Sequence, residues 1–188
     1  MKKGKIIILS APSGTGKSTI ISRLMQHPEL KLEFSISATS RSPRGNEKHG
    51  KDYYFLSLEE FEQKVAQGHF VEWEEVYAGT KYGTLVDEVD RIINSGNNLI
   101  MDIDVKGALN VKKKYGSEAM TIFILPPSLE ELEARLRARA TDSEESLMKR
   151  IAKAGYEMEF AGKFDFQVVN DNLDRAVEEV EKHIRDFA

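Results

Sequence analysis

A short glycine-rich segment near the amino terminus carries the residues best suited to binding phosphate. Residues 11–18 read Ala-Pro-Ser-Gly-Thr-Gly-Lys-Ser, which closely follows the phosphate-loop pattern G-x-x-x-x-G-K-[ST]. Gly14 and Gly16 permit backbone angles that other residues avoid, so successive amides can point at one anion. Lys17 can reach the β- and γ-phosphates of a nucleotide, and the Ser18 hydroxyl can be offered to Mg²⁺. These residues predict a site for a nucleoside triphosphate.

Ala11 departs from that pattern, since it stands where the first glycine is expected. A glycine-rich turn without a ligand is the alternative, because the string Gly-Lys-Ser alone is common. The context favours the phosphate loop: a β-branched run over residues 5–10 comes directly before it, and a helical pattern begins near Lys17. Phosphate loops serve GTPases, ATPases and kinases alike, so the loop leaves the reaction open.

A second set of candidate phosphate ligands lies in the string Thr39-Ser40-Arg41-Ser42-Pro43-Arg44. Its two arginines are three residues apart, and the planar guanidinium group matches phosphate oxygens in a bidentate way. The alternation of apolar and hydroxyl residues over 34–39 predicts one strand with one buried face. Alternate residues from Ser35 to Arg41 then share the other, open face, where hydroxyls and a guanidinium can converge. A solvated basic turn explains these residues equally well on their own.

Glu72 is a candidate for reading the base of a bound nucleotide. In an extended strand Val71 and Trp73 face one way, which leaves Glu72 on the opposite surface. A carboxylate can accept two hydrogen bonds from adjacent N–H groups on one base edge. Guanine presents such a pair, N1–H and the exocyclic amine, whereas adenine does not. Taken alone, Glu72 is explained as simply by an exposed acid on a strand.

The elements that must position these residues alternate along the chain. Short apolar runs predict buried strands, and stripes at helical spacing predict helices between or after them. The runs are residues 5–10, 99–102, 120–125 and 166–169. The helical stripes are Ile20, Ile21, Leu24 and Met25, then Leu85, Val89, Ile92 and Ile93, and finally Leu173, Val177, Val180 and Ile184. Ser57 with Glu60, and Ser128 with Glu131, have the spacing of capping boxes. The predicted fold class is α/β, with a parallel sheet between helices.

Two segments depart from this alternation. Residues 34–84 contain short extended pieces punctuated by glycines, which predicts a small, mostly antiparallel insertion on the core. Residues 126–157 contain two helical patterns rich in arginine and form a candidate lid. We therefore expect one domain over residues 1–188. Its core is expected in residues 1–33, 85–125 and 158–188.

Composition and charge exclude several classes of protein. A hydrophobic fraction of 40% with 31% charged residues over 188 residues excludes wholesale disorder. The net charge of −4 provides no general basic field for a nucleic-acid backbone. The absence of cysteine excludes disulfides, thiol catalysis and zinc–thiolate sites. The apolar run over residues 6–9 is too short for a signal-peptide core or a membrane span. We expect a cytoplasmic protein without nucleic-acid or membrane partners; monomer and homodimer both stay open.

Six strings occur in one order along the sequence. They are Ser-Ala-Pro-Ser-Gly-Thr-Gly-Lys-Ser-Thr at 10–19, Thr-Ser-Arg-Ser-Pro-Arg at 39–44, Gly-Lys-Asp-Tyr-Tyr-Phe at 50–55, Phe-Val-Glu-Trp at 70–73, Lys-Tyr-Gly-Thr at 81–84 and Asp-Ile-Asp-Val at 102–105. Together they resemble the guanylate kinases, a family of phosphate-loop nucleoside monophosphate kinases, over nearly the whole chain. The resemblance implies ATP- and Mg²⁺-dependent phosphorylation of GMP, and also of dGMP, on a core with a GMP-binding insertion and a mobile lid.

The resemblance also implies roles for individual residues. The implied guanine readers are Ser37, Glu72 and Thr84, and the implied ligands of the GMP phosphate are Arg41, Arg44, Tyr53 and Tyr82. Asp102 resembles the family acid near the metal and the GMP. The ATP-binding residues are Ala11, Pro12, Ser13, Gly14, Thr15, Gly16, Lys17, Ser18, Thr19 and Asn170, the last near the adenine. The residues expected to act in catalysis are Lys17, Arg41, Arg139 and Arg150, with Mg²⁺ held near Ser18, mostly through water and phosphates.

Two alternatives stay open at this point. Guanylate-kinase-like domains also occur as non-catalytic modules that bind partner peptides. Such a module need not keep an intact phosphate loop or the lid arginines, and this chain has both. The other alternative is a kinase for a different small phosphorylated acceptor, against which Glu72 together with Ser37 favours guanine.

Overall fold

The computed structural model describes residues 3–77, 79–138 and 143–188. Strands and α-helices follow one another along these residues and are numbered here in chain order. The strands are β1 (Ile6–Ser10), β2 (Leu32–Phe34), β3 (Ala38–Thr39), β4 (Tyr54–Phe55), β5 (Phe70–Tyr77), β6 (Thr80–Leu85), β7 (Asn98–Asp102), β8 (Ala119–Leu125) and β9 (Phe166–Val169). The α-helices are α1 (Lys17–Leu24), α2 (Leu58–Ala66), α3 (Val86–Asn94), α4 (Val105–Tyr115), α5 (Leu129–Ala138), α6 (Glu144–Met158) and α7 (Leu173–Phe187).

The strands form two sheets. The larger is a five-stranded parallel sheet of order β2-β7-β1-β8-β9, in which Ile6 lies opposite Ala119 and Ile122 opposite Phe166. The smaller has the order β4-β3-β6-β5, with antiparallel pairs β3–β6 and β5–β6 and a parallel pair β3–β4. The predicted α/β class, with a parallel sheet and a second, mostly antiparallel sheet, is confirmed.

The chain divides into two compact units. One, here called the mixed-sheet unit, contains the four-stranded sheet; the other, the phosphate-loop unit, contains residues 11–18. The mixed-sheet unit comprises Met1–Gly4 and Glu33–Leu99, and the phosphate-loop unit comprises Lys5–Leu32 and Ile100–Ala188. The GMP-binding insertion expected at residues 34–84 and the lid expected at 126–157 are defined by their proposed functions. They stay predictions.

The phosphate-loop unit is built around a strand that is buried along its whole length. All five residues of β1 are buried, as expected for a central parallel strand covered on both faces. The apolar stripes of α1 and α7 pack against it, so the helical spacing noted in the sequence marks their buried faces. The packed residues include Ile7, Leu9, Ile20, Leu24, Ile122, Val177, Val180 and Ile184.

The mixed-sheet unit has its own small core beneath α2. Phe61 of that helix is fully buried and packs with Ala38 and Phe70, whose ring centre lies 4.4 Å from that of Phe61. The predicted capping box starts the helix: the Ser57 hydroxyl accepts the Glu60 N–H, and the Glu60 carboxylate accepts the Ser57 N–H. These local bonds fix where α2 begins and therefore where Phe61 points.

The start of α5 and the character of the helices complete the description. At the start of α5 the Glu131 N–H donates to the Ser128 hydroxyl at 3.1 Å, which is one of the two bonds of the predicted capping box. Among the helices of the described residues, none combines the length and the apolar character needed to cross a lipid bilayer.

The prediction, from alternation, that residues 34–39 form one strand is wrong. Phe34 ends β2 in the larger sheet and Ala38 begins β3 in the smaller one, while residues 35–37 belong to no strand. Phe34 is 42% exposed, and Thr39 is completely buried although it was expected on the open face. A period of two has meaning only within one strand, and here the chain passes from one sheet into another.

Strand β5 also departs from the expected alternation. Its register with β6 shifts between Phe70 and Glu72, and a bulge of this kind moves side chains off their alternating faces. Phe70 and Val71 are consequently both buried, whereas Trp73 is 44% exposed, so Val71 and Trp73 do not share an environment. Glu72 nevertheless lies directly opposite Thr84 on β6.

Candidate functional site

The phosphate loop connects the end of β1 to the start of α1 through two glycines that cannot be replaced without strain. Gly14 and Gly16 have φ angles of 92° and 96°, in the left-handed region that side chains avoid. A Cβ atom on Gly16 would lie 2.5 Å from Nδ2 of Asn170, and one on Gly14 would lie 2.7 Å from Leu136. Ala11, by contrast, packs against the core cluster without a positive φ, which explains why alanine is accepted there.

A chain of hydrogen bonds connects the loop to Asn170, the residue after β9, and to α5. The Thr15 hydroxyl donates to the Pro12 carbonyl at 2.7 Å. The buried Asn170 donates its Nδ2 to the Thr15 carbonyl at 2.7 Å, and its own carbonyl accepts both Nη groups of Arg135 at 3.2 Å. Asn170 therefore links α5 to the phosphate loop, and its side chain holds the backbone of the loop from a distant part of the sequence.

Lys17 is the first residue of α1, and its ammonium group contacts the carboxylate of Asp102 at the end of β7. Burial lowers the pKa of Lys17 to about 8, against the opposing effect of the Glu157 and Asp104 carboxylates. The direct contact with Asp102 favours the charged form, so Lys17 is a cation at neutral pH. A ligand with more negative charge than one carboxylate can compete with Asp102 for this ammonium group.

The arginines of α5 and α6 differ in what they contact. Arg150 of α6 reaches the phosphate loop, where its Nη2 donates to the Ser13 hydroxyl. Arg137 instead forms ion pairs with carboxylates of α5 and α6, as expected for an arginine on a solvated helix. Arg139, the other arginine predicted to act in catalysis, lies outside the described residues.

Arg41 is the centre of a polar cluster in the mixed-sheet unit. Its two Nη groups donate to the two carboxylate oxygens of Glu47 at 2.7 and 2.8 Å, and its Nε donates to the Tyr82 hydroxyl at 3.1 Å. The guanidinium carbon lies 4.9 Å from the centre of the Tyr53 ring. Glu47 also accepts the backbone N–H of Arg44 at 2.8 Å. The cluster brings together the four residues expected around the acceptor phosphate and adds Glu47, which was not expected.

The contacts in this cluster keep both members of the ion pair charged. Hydrogen bonds from the Arg41 side chain and the Arg44 N–H hold the pKa of Glu47 at about 2. Bonds to Glu47 and Tyr82 raise the pKa of Arg41 above its ordinary value. Arg44 itself is exposed. The cluster can therefore offer a fixed guanidinium and a second, solvated one to an anion.

The proposed base reader lies in the same unit, across the β5–β6 pair. The buried Thr84 donates its hydroxyl to Oε1 of Glu72 at 2.7 Å. The Thr84 hydroxyl on the neighbouring strand thus helps to orient the Glu72 carboxylate. Ser37 is half-buried, and its carbonyl accepts the Tyr54 N–H at 2.9 Å. The convergence of Ser37 and Glu72 on one base stays a prediction.

Sequence reasoning missed several residues that these sites contain. Glu47 lies six residues after Arg41 in a loop, where no periodicity signals a pair. The four-residue spacing of Glu131 and Arg135 signals their intrahelical ion pair, formed at 3.1 Å, but gives no sign of the bond from Arg135 to the Asn170 carbonyl. Glu157 is a buried acid on α6 whose charge favours a higher pKa for Lys17. No sequence motif or spacing marks it.

Comparison with known proteins agrees with the motifs. The family model described as guanylate kinase matches residues 3–187. A guanylate kinase from Porphyromonas gingivalis is 55% identical over 183 residues, covering 97% of this chain and 97% of that protein. Another from Chlorobaculum tepidum is 49% identical over 187 residues, covering 100% and 95% of the two chains.

A solved structure is similar as well. The crystal structure of guanylate kinase from Anaplasma phagocytophilum superposes with a TM-score of 0.71 at 29% identity, covering 99% of this chain and 87% of that one. The match therefore extends over the parallel sheet, the mixed sheet and all the segments that carry the motifs. The chain belongs to the guanylate kinase family and is a nucleoside monophosphate kinase that uses ATP as phosphoryl donor.

Proposed function

We propose that the protein transfers the γ-phosphoryl group of ATP to GMP and forms ADP and GDP. The observation that carries the choice of acceptor is the carboxylate of Glu72, held by the Thr84 hydroxyl on the neighbouring strand. Guanine offers two adjacent N–H donors to such a carboxylate, and adenine, cytosine and uracil do not offer this pair. The guanylate kinase relatives support the same substrate.

The phosphate-loop unit is the proposed ATP site. Loop amides aimed by Gly14 and Gly16, together with the amino-terminal end of α1, would hold the β- and γ-phosphates. Lys17 would leave Asp102 and pair with these phosphates, because a triphosphate carries more negative charge than a single carboxylate. Arg150, already at Ser13, would add a second cation to the same anion.

The residues at the loop also fit Mg²⁺, which prefers oxygen ligands and usually keeps several waters. Ser18 is exposed in the first turn of α1, and its hydroxyl forms no hydrogen bond within the described part of the chain. Asp102 supplies a carboxylate next to Lys17. When bound with ATP, Mg²⁺ offsets the negative charge of the phosphates.

The mixed-sheet unit is the proposed GMP site. Arg41, Arg44, Tyr53 and Tyr82 would bind the monophosphate, and Ser37, Glu72 and Thr84 would read the base. None of these proposed contacts involves the ribose 2′-hydroxyl, so we extend the proposal to dGMP. Phosphoryl transfer needs little covalent help from the protein, and the residues named here would act by positioning the two nucleotides and offsetting charge.

Substrate choice tests the proposal directly. ADP release from ATP should be measured with GMP, dGMP, AMP, CMP and UMP in turn, with and without Mg²⁺. We expect kcat/KM to be highest for GMP and dGMP and release to fall to background without Mg²⁺. A preference for AMP or for a pyrimidine nucleotide would contradict the assignment of Glu72.

A further inference from the structure

Glu47, which none of the sequence motifs identifies, bonds to two of the proposed acceptor-phosphate residues, Arg41 and Arg44. Its two oxygens accept both Nη groups of Arg41 at 2.7 and 2.8 Å, and Oε2 also accepts the backbone N–H of Arg44 at 2.8 Å. The Glu47 N–H in turn donates to the Arg44 carbonyl at 3.1 Å. Side chain and backbone thus close one turn that contains both the arginines and the glutamate.

These bonds leave Arg41 a single orientation. A guanidinium group has five N–H donors, and four of those of Arg41 are used by Tyr82, the Ser42 carbonyl and the two Glu47 oxygens. The rings of Tyr53 and Phe55 lie beside the group, at 4.9 and 5.6 Å from its carbon. The remaining N–H is on Nη2, so its direction is fixed before any ligand arrives.

We infer that Glu47 is a positioning residue of the acceptor-phosphate site, which holds the Arg41 guanidinium and the Arg44 backbone so that a nucleoside monophosphate meets preoriented donors. The inference rests on the proposed function, since it deepens the role given there to Arg41 and Arg44. Preorientation matters because a long side chain that is already fixed loses little entropy when the phosphate binds.

The alternative is that Glu47 competes with the ligand, because its carboxylate occupies the Nη groups of Arg41 that the phosphate needs. The bond to the Arg44 N–H argues against it, because displacing Glu47 would break three hydrogen bonds of a closed turn rather than one exposed ion pair. The Arg41 side chain is also only 11% exposed. Because buried N–H donors need hydrogen-bond acceptors, its buried edge requires a partner whether or not phosphate is present.

The test compares ligands with and without the phosphate group. In Glu47→Gln, a near-isosteric change, we expect the KM for GMP to rise about tenfold or more, because charged hydrogen bonds that fix Arg41 are lost. The inhibition constant of guanosine and the KM for ATP should stay unchanged. Glu62→Gln is the matched control: it breaks an ion pair with Lys81 in the same unit without touching Arg41.

A double substitution tests whether Glu47 acts through Arg41. In an Arg41→Lys background the bidentate pair is already gone, so adding Glu47→Gln should change the KM for GMP less than about twofold. Full additivity of the two changes would overturn the inference. So would tighter GMP binding in Glu47→Gln, which identifies a competitor, or an equal loss of guanosine and GMP, which identifies a purely structural role. Failure of the wild-type chain to prefer GMP over the other monophosphates would instead refute the proposed function.

Discussion

Glu72→Gln is the substitution that most directly tests how the acceptor base is chosen. Glutamine keeps the length of the side chain and one oxygen, which can still accept the Thr84 hydroxyl. It loses the charge and turns an NH₂ group toward one of the two guanine donors. A hydrogen bond to a charged group contributes about 1.5–3 kcal/mol, and an unsatisfied donor costs about 1–3 kcal/mol more. We therefore expect a loss of about 3 kcal/mol in GMP recognition, or roughly 150-fold in kcat/KM.

The assay is ADP release at varied GMP and fixed, saturating ATP, repeated at varied ATP. The KM for ATP should stay within about twofold of wild type, because Glu72 belongs to the mixed-sheet unit and the proposed ATP site to the phosphate-loop unit. IMP lacks the exocyclic amine, so its kcat/KM should fall less than that of GMP in Glu72→Gln. The preference for GMP over IMP should therefore shrink. Glu74→Gln, an exposed acid on the same strand, is the matched control. Equal losses for GMP and ATP, or for GMP and IMP, would refute the base-reading role.

Three further substitutions probe the phosphate loop and the fold. Lys17→Ala should lower kcat by about 100- to 1,000-fold, as removal of one charge-stabilising donor does, with an unchanged circular dichroism spectrum; near-normal turnover would contradict the ATP site. Gly16→Ala should raise the KM for ATP about tenfold through backbone strain and the clash with Asn170, whereas Gly155→Ala, which meets nothing within 4 Å, should leave it unchanged. Glu88→Gln should lower the free energy of unfolding by about 2 kcal/mol at pH 7, because this buried carboxylate accepts bonds from Arg91 and two other donors. Burial alone would raise the pKa of Glu88, but those bonds bring it below the ordinary 4.5, so its stabilisation is present above pH 4.5 and is lost as the pH falls through the folded-state pKa. The difference in urea unfolding between wild type and Glu88→Gln should shrink on acidification; a constant difference would contradict the assignment.

The parts of the molecule that sequence predicts well are those determined by neighbouring residues. The capping box of Ser57 and Glu60 joins residues three apart, and the phosphate loop is a strand, two glycines and a helix in direct succession. The helical stripes of α1 and α7 identify their buried faces because the period of a helix survives over several turns. In each case the physical cause acts within a few residues, so a local pattern suffices.

The parts that sequence predicts poorly depend on contacts with segments that are distant in the sequence. The alternation over residues 34–39 fails because it spans two strands of different sheets, and that of Val71 and Trp73 fails at a bulge set by the pairing with β6. Glu47 acts through partners in a loop, with no fixed spacing to reveal it. Asn170 is named from the family resemblance, but nothing in the sequence indicates its bond to the Thr15 carbonyl. Candidate ligands could be named from their motifs, whereas the residues that hold those ligands in place required the structure.

The central position of β1 has a consequence for how the chain is made. Both neighbours of this strand in the sheet, β7 and β8, come from the second half of the sequence. At translation rates of about 5–20 residues per second, the apolar run at residues 6–9 waits on the order of ten seconds before a neighbouring strand has even been synthesised. We expect the nascent chain to engage ribosome-associated chaperones during that interval, and newly made protein to aggregate more readily than the mature enzyme.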